Sequence, residues 1–162
     1  MRIKQFGGGV KPSPIKKIFW VIPTYSGETW VEYTMAYGQC MGLLATMGIE
    51  CETFPVIGDT FIEKARNRAV AKFMSDPTNE KIIMCDPDQA FTLQTFYDLL
   101  TSEHEFTAAC PPFKKENKEF STDIESPVEG KFFKTSRVGT GFVSFHRSVF
   151  EKMFVEYADR RN

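Results

Sequence analysis

At 162 residues the chain amounts to one domain, too short for a two-domain enzyme with a separate cofactor module. Hydrophobic residues make up 42% and charged residues 25%, the balance of an ordinary globular domain, which excludes disordered, collagen-like and coiled-coil chains. Lys and Arg number 20 against 21 Asp and Glu, a net charge of −1, so no bulk field draws in nucleic acid or an anionic membrane, while a sugar or nucleotide ligand stays allowed.

Met1 to Pro14 is basic, carries Gly7-Gly8-Gly9 and lacks the apolar core of a secretory signal, so a flexible lead-in is expected, with a single domain over residues 15–162. Ile15 to Ile22 reads as a strand stopped by Pro23, which has no N–H to give a ladder. Over Glu28 to Gly48, Val31, Met35, Leu43 and Met47 recur at near-helical spacing, and Gly48 stands where a helix C-cap is expected. Glu50 to Ile57 supplies a second strand. Gly58-Asp59-Thr60 then leads into a helix with the capping-box pattern Thr60-x-x-Glu63 and the apolar face Ile62, Ala65, Ala69 and Phe73.

Asp76-Pro77-Thr78-Asn79 is loop chemistry, and Lys81 to Cys85 is a short run suited to a strand buried on both faces of a parallel sheet. Asp86-Pro87-Asp88 ends that strand. Phe91 to Leu100 is helical with Thr92 as N-cap, and Phe106 to Cys110 is a fourth strand cut off by Pro111-Pro112. Lys114 to Gly130 is polar, charged, aperiodic and long, more often a substrate-covering segment than a plain connection; Lys114, Lys115 and Lys118 either close over phosphates or, as is usual for a charge-rich loop, are simply solvated. Val138 to Phe145 returns as a strand, and Ser148-x-x-Glu151 caps a last helix with Val149, Phe150, Met153 and Phe154 inward. The expected fold is an α/β sandwich with a mainly parallel central sheet, whose ligand lies at the carboxyl ends of the strands.

No apolar run approaches the roughly 18 residues of a membrane span, so none is expected. Cys40, Cys51, Cys85 and Cys110 include no C-x-x-C pair and sit in apolar segments, which points to reduced, buried thiols in a cytoplasmic compartment.

Asp86 and Asp88 carry the sharpest chemical signal. Two carboxylates at i and i+2 on the tip of a buried strand are hard oxygen ligands for Mg²⁺ or Mn²⁺, and a diphosphate is the natural partner of such an ion, although Asp-Pro-Asp is also ordinary turn chemistry. Arg66 borders the apolar face of its helix, where its guanidinium needs an acid or a phosphate, or else snorkels out to water. Gly139 and Gly141, flanking Thr140 in a strand-like segment, mark either a bulge or the close approach of a ligand. With only His104 and His146 in the chain, no nucleophile-base triad is supported.

Taken in order, Val21-Ile22-Pro23-Thr24-Tyr25, Ala65-Arg66-Asn67, Asp86-Pro87-Asp88 and Val138-Gly139-Thr140-Gly141-Phe142 ahead of His146-Arg147-Ser148-Val149-Phe150 resemble a glycosyltransferase of the GT-A type, close to family-2-like and virus- or phage-encoded members. The resemblance spans roughly Lys16 to Met153. It implies a nucleoside diphosphate sugar as donor and a glycan or small molecule as acceptor. Pro23, Thr24 and Tyr25 would lie near the nucleoside, Asp59 at the base and Arg66 on the nucleotide side. Asp88 would be the direct ligand of Mn²⁺ or Mg²⁺, Asp86 would hold ribose or donor sugar and reach the metal, and Gly139, Thr140 and Gly141 would line the sugar or acceptor side.

The resemblance also implies a location in the cytoplasm, the host's if the chain is viral. The family's customary C-terminal segment, with its acidic base and ligand His, is not found after Arg147, so no catalytic base is assigned and a donor-binding module without turnover is the competing expectation. A sheet edge left open there would also favour a homo-oligomer. A haloacid-dehalogenase-like phosphatase would want its acidic motif at the start of the domain. A sugar nucleotidyltransferase would want a Gly-rich loop where Pro23-Thr24-Tyr25-Ser26-Gly27 stands.

Overall fold

The computed structural model describes residues 15–110 and 132–158. The expected lead-in over 1–14 and the lysine-bearing loop over 114–130 lie outside those residues. Five strands and four helices follow in the order β1 (Lys17–Thr24), α1 (Val31–Met47), β2 (Glu50–Ile57), α2 (Ile62–Ser75), β3 (Lys81–Cys85), α3 (Leu93–Thr101), β4 (Phe106–Ala108), β5 (Phe142–His146) and α4 (Arg147–Glu156). The strands form one sheet in the order β2-β1-β3-β5-β4.

Alternation of side chains along the buried strands divides the core into two layers. Ile18 and Trp20 of β1 and Ile83 and Cys85 of β3 face Tyr33, Cys40 and Leu44 of α1 and Phe96, Leu99 and Leu100 of α3. Their neighbours Phe19, Val21, Ile82 and Met84 face Ala65, Ala69 and Phe73 of α2 and Phe150 of α4. Trp20 is wholly buried and donates its indole N–H to the Tyr33 hydroxyl at 3.0 Å, which satisfies the one polar atom it carries into the core.

The expectation of a mainly parallel sheet is corrected here. β1 pairs in parallel with β2 and β3, but β5 is antiparallel to both β3 and β4, so the sheet is mixed. The physical reason is connectivity. Parallel neighbours need a crossover, and the sequence shows no helical periodicity between the fourth and fifth strands, so β5 doubles back beside β4. The reversal has a functional consequence: the start of β5 lies beside the end of β3, with Phe142 opposite Cys85.

Several local expectations shift as well. Pro23 lies within β1, opposite Val56; the pairing with β3 ends at Val21, so at Pro23 the strand has a neighbour on one side only and a missing N–H is tolerated. The buried stripe of α1 is Tyr33, Ala36, Cys40 and Leu44, whereas Val31 and Met35 are exposed. Ile62 is exposed at the start of α2, and Phe61, not Thr60, is its N-cap, without a side-chain bond. Strand β5 starts at Phe142, leaving Val138 to Gly141 as loop.

α4 starts at Arg147, so Ser148 and Glu151 form no capping box: Ser148 donates to Glu105, and Glu151 receives Arg147. From Glu151 to Ala158 every residue is exposed, Met153 and Phe154 included, because α4 packs on the sheet through its first turn alone. Gly48 does close α1, at φ 70°, and Thr92 does cap α3 by accepting the Thr95 N–H at 3.1 Å.

Two cations seal helix C-termini at the end of the sheet away from the site. The Arg147 guanidinium donates to the carbonyls of Met74 and Asp76 at the end of α2. Lys81, wholly buried, donates to the carbonyls of Leu99, Leu100 and Ser102 at 3.2, 2.8 and 3.0 Å, and burial pushes its ammonium down to about 8. Leu99 also receives Ser144 and Ser102 contacts His146, so Lys81→Met chiefly strands the Leu100 carbonyl and is expected to cost roughly 1–3 kcal/mol in urea unfolding. The sign of the pH effect follows from linkage. The unfolded chain binds the Lys81 proton more tightly, so the group makes stability rise between pH 8 and 10.5, and that increment is expected to vanish in Lys81→Met.

Candidate functional site

The ends of β1, β2 and β3 carry Thr24-Tyr25, Gly58-Asp59 and Asp86-Pro87-Asp88 at one edge of the sheet, and the reversed β5 brings Gly139-Thr140-Gly141 to the same edge. Chain order reverses between β1 and β3, the topological switch at which open α/β sheets bind ligands. Backbone bonds lace these loops into one rim: Gly58 N–H to Tyr25 O at 3.2 Å, Trp30 N–H to Pro87 O at 2.9 Å, and Asp86 N–H to Gly141 O at 2.8 Å.

Arg66, in the second turn of α2, ties the rim together. Its guanidinium donates to Asp86 Oδ1 at 3.1 Å, to Thr140 Oγ1 at 2.5 Å and to the Thr140 carbonyl at 3.0 Å. The acid that Arg66 requires is therefore Asp86, twenty residues on in sequence and adjacent only in the fold. The pair is partly buried, at 21% and 27% exposure, so its attraction is less screened than that of a surface pair. Arg66 Nε is buried with no hydrogen-bond partner among the described residues, a donor this arrangement leaves unsatisfied.

The remaining residues expected on the donor side divide into scaffold and surface. Pro23 is buried, and the buried Thr24 shapes the next turn by donating to Glu28 O at 2.9 Å and accepting from Gly27 N–H at 3.1 Å, with Gly27 at φ 81°. Tyr25 is 68% exposed on the rim, joined there by Ile57 and Phe61. Asp59 receives Arg68 at 2.5 Å and lies 3.6 Å from Lys64; the Arg68 hydrogen bond holds its carboxyl below the usual range.

Gln89 is a residue that sequence reasoning missed. Its N–H bonds Asp86 O at 3.1 Å, and its side chain packs over Gly141, where an added Cβ would stand 3.1 Å from Gln89 Nε2 and 3.5 Å from Asp86 Oδ2. Nothing in the local sequence distinguishes it from any other residue after a turn. Gly141→Ala is expected to push the flexible Gln89 amide aside and to weaken the nucleotide affinity proposed below about threefold to tenfold, with the thermal midpoint nearly unchanged. Calorimetry and a thermal melt on the same preparation check both halves.

A metal finds a partial ligand set. Among the described residues no group of three or more His, Cys, Asp or Glu side chains is gathered to hold an ion. Asp86 and Asp88 remain, and Mg²⁺-type ions commonly use one or two carboxylates together with substrate phosphates. The pair fits an ion that arrives with a diphosphate rather than a resident one.

No family model and no curated protein matches the sequence. Among solved structures the chain is similar to A197 from STIV, with 15% identity and a TM-score of 0.52 over 85% of this chain and 68% of that one. It is also similar to the 4-diphosphocytidyl-2C-methyl-D-erythritol synthase of Anaerococcus prevotii, with 12% identity and a TM-score of 0.48 over 90% of this chain and 78% of that one. A third is a glycosyltransferase involved in the glycosylation of the major capsid of PBCV-1, with 14% identity and a TM-score of 0.36 over 90% of this chain and 68% of that one. The likeness to A197 is one of fold, a mixed α/β domain; function has to be argued from the site. No helix of the described residues is long and apolar enough to cross a membrane.

Proposed function

We propose that the protein is a glycosyltransferase that moves a hexose from a nucleoside diphosphate sugar to a hydroxyl acceptor, with Mn²⁺ or Mg²⁺. The observation that carries this reading is the Arg66 clamp on Asp86 and Thr140, set at the edge of the sheet where β3 ends and the antiparallel β5 begins. A cation and two carboxylates at a topological switch point match the mixed charge of a diphosphate and its ion.

Asp88, with Asp86, would hold the ion, which when bound would neutralise charge on the departing nucleoside diphosphate. The chain's own contribution is positioning. Arg66 fixes Asp86 against Thr140, and Gln89 and Gly141 set the far wall. Tyr25 and Phe61 offer exposed rings to the nucleoside, and Pro23 and Thr24 shape the loop beneath it. Asp59, held by Arg68, stiffens the β2–α2 loop on which the base would rest. Gly139, Thr140 and Gly141 would border the sugar.

The test is release of nucleoside diphosphate from a panel of UDP-, GDP- and dTDP-sugars with Mn²⁺ or Mg²⁺. Turnover of one donor, lost on chelation, is expected. Nucleotide binding with no release from any donor, acceptors included, would overturn the transferase reading in favour of a donor-binding module.

A further inference from the structure

A cavity of about 380 Å³ opens beside Gln89, on the side of the acidic loop away from Arg66. It runs between α3, the end of β4 and Phe132-Phe133, a size within the range of small-molecule sites. We propose, on the basis of the glycosyltransferase reading above, that this groove is the acceptor subsite and that the acceptor is a carbohydrate, seated with one pyranose ring against its aromatic wall.

The lining has two chemistries. Phe91, Phe132 and Phe133 present ring surface, and Phe91 is braced by Phe142 with centroids 4.6 Å apart. Beside them lie the polar side chains of Thr92, the N-cap of α3, and of Thr95 and Asp98 on α3, with the Thr92 and Thr95 hydroxyls 2.9 Å apart and Asp98 accepting from Gln94 at 2.8 Å. A pyranose has this same division, an apolar C–H face and a rim of hydroxyls. An alkyl or aryl acceptor would use the rings and make no bond to the hydroxyl and carboxylate groups beside them, and a wholly polar one would leave three phenyl rings unused.

Position supports the same occupant. Gln89 lines the groove and also packs on Gly141 beside Asp86, so a hydroxyl at the groove's inner end faces the place where the donor sugar would stand. Cys110 lines the groove as well and is half-buried, which supplies a chemical reporter of occupancy.

The experiment uses the full chain and free saccharides, without donor. N-acetylglucosamine, methyl mannoside, lactose, maltose and cellobiose are screened at about 100 mM by saturation-transfer NMR. The rate of N-ethylmaleimide labelling of Cys110 is read by peptide mass spectrometry, with Cys51 as internal control. At least one saccharide is expected to show transfer and to slow Cys110 labelling about threefold or more, with Cys51 unaffected. Thr95→Val and Asp98→Asn are each expected to raise the half-protecting concentration about tenfold while UDP and GDP titrations stay as in the parent.

Absence of transfer from every saccharide, or transfer without protection of Cys110, overturns the groove assignment and leaves the nucleotide reading standing if UDP or GDP still binds. Protection by the apolar probe anilinonaphthalene sulfonate, with none by a saccharide, overturns the carbohydrate. Protection by a saccharide in a protein that binds no nucleotide supports the groove and overturns the transferase reading.

Discussion

Arg66→Ala is expected to reduce nucleoside diphosphate affinity by about 100-fold or more, roughly 3 kcal/mol, the largest effect of any single substitution outside the core. The side chain holds a carboxylate from the β3 loop and a hydroxyl and carbonyl from the segment before β5, so it joins α2 to both. Removing it takes the guanidinium away from Asp86, and with it the positive charge beside the place proposed for the phosphates. Arg66→Lys is expected to restore little, because one ammonium cannot meet Asp86 and Thr140 with the planar fork that a guanidinium provides. A fluorescent nucleotide displaced by UDP or GDP measures the loss, and a melting curve separates it from unfolding. Affinity within about threefold of the parent in a folded Arg66→Ala protein would place the clamp in the scaffold and not in the site.

Asp88→Ala is expected to abolish the enhancement of nucleotide binding by Mn²⁺ while leaving the fold intact. Asp88 is half-buried on the turn that follows β3, where the Gln89 N–H donates to Asp86 O. The loss should therefore show as an affinity that no longer responds to metal, together with donor turnover reduced about 100-fold or more. Asp86→Ala should differ: it removes the Arg66 partner as well, so metal-free nucleotide binding and thermal stability should change together. Titration of Mn²⁺ at fixed nucleotide distinguishes the two variants. Equal metal response in parent and Asp88→Ala would remove Asp88 from the ligand set.

What could be read from the chain and what could not divides along physical lines. Strands β2 and β3 were readable to the residue: Gly48 and Gly58 flank β2 closely, and the buried run of β3 stops at Asp86-Pro87, so each leaves few ways to start and stop a strand. Gly48 and Thr92 announced helix ends by local backbone and side-chain chemistry alone. The phase of α1 was not readable. Its buried stripe of Tyr33, Ala36, Cys40 and Leu44 carries only one strongly hydrophobic aliphatic side chain, while the stronger signals Val31 and Met35 lie on the exposed side. The antiparallel β5 left only an indirect trace, the missing helical period before it.

The site shows the same division. A partly buried Arg66 announced the need for an acid, and Asp86-Pro87-Asp88 announced surplus acid, but that one answers the other depends on α2 and β3 packing side by side. The placement of Gln89 over Gly141 is a tertiary fact with no sequence signal. Lys81 reads as a charged residue at the start of an apolar run. Its complete burial is set by the open carbonyls of α3, which exist only once that helix has docked.

The most direct measurement is calorimetric titration of UDP and GDP into the parent protein, with and without Mn²⁺. A single nucleotide site strengthened about tenfold or more by the metal is the predicted result, and it would establish the rim of Arg66, Asp86 and Asp88 as a diphosphate cleft. No heat and no binding for either nucleotide, with or without metal, would contradict the account and leave the Arg66–Asp86 pair as a brace between α2 and β3.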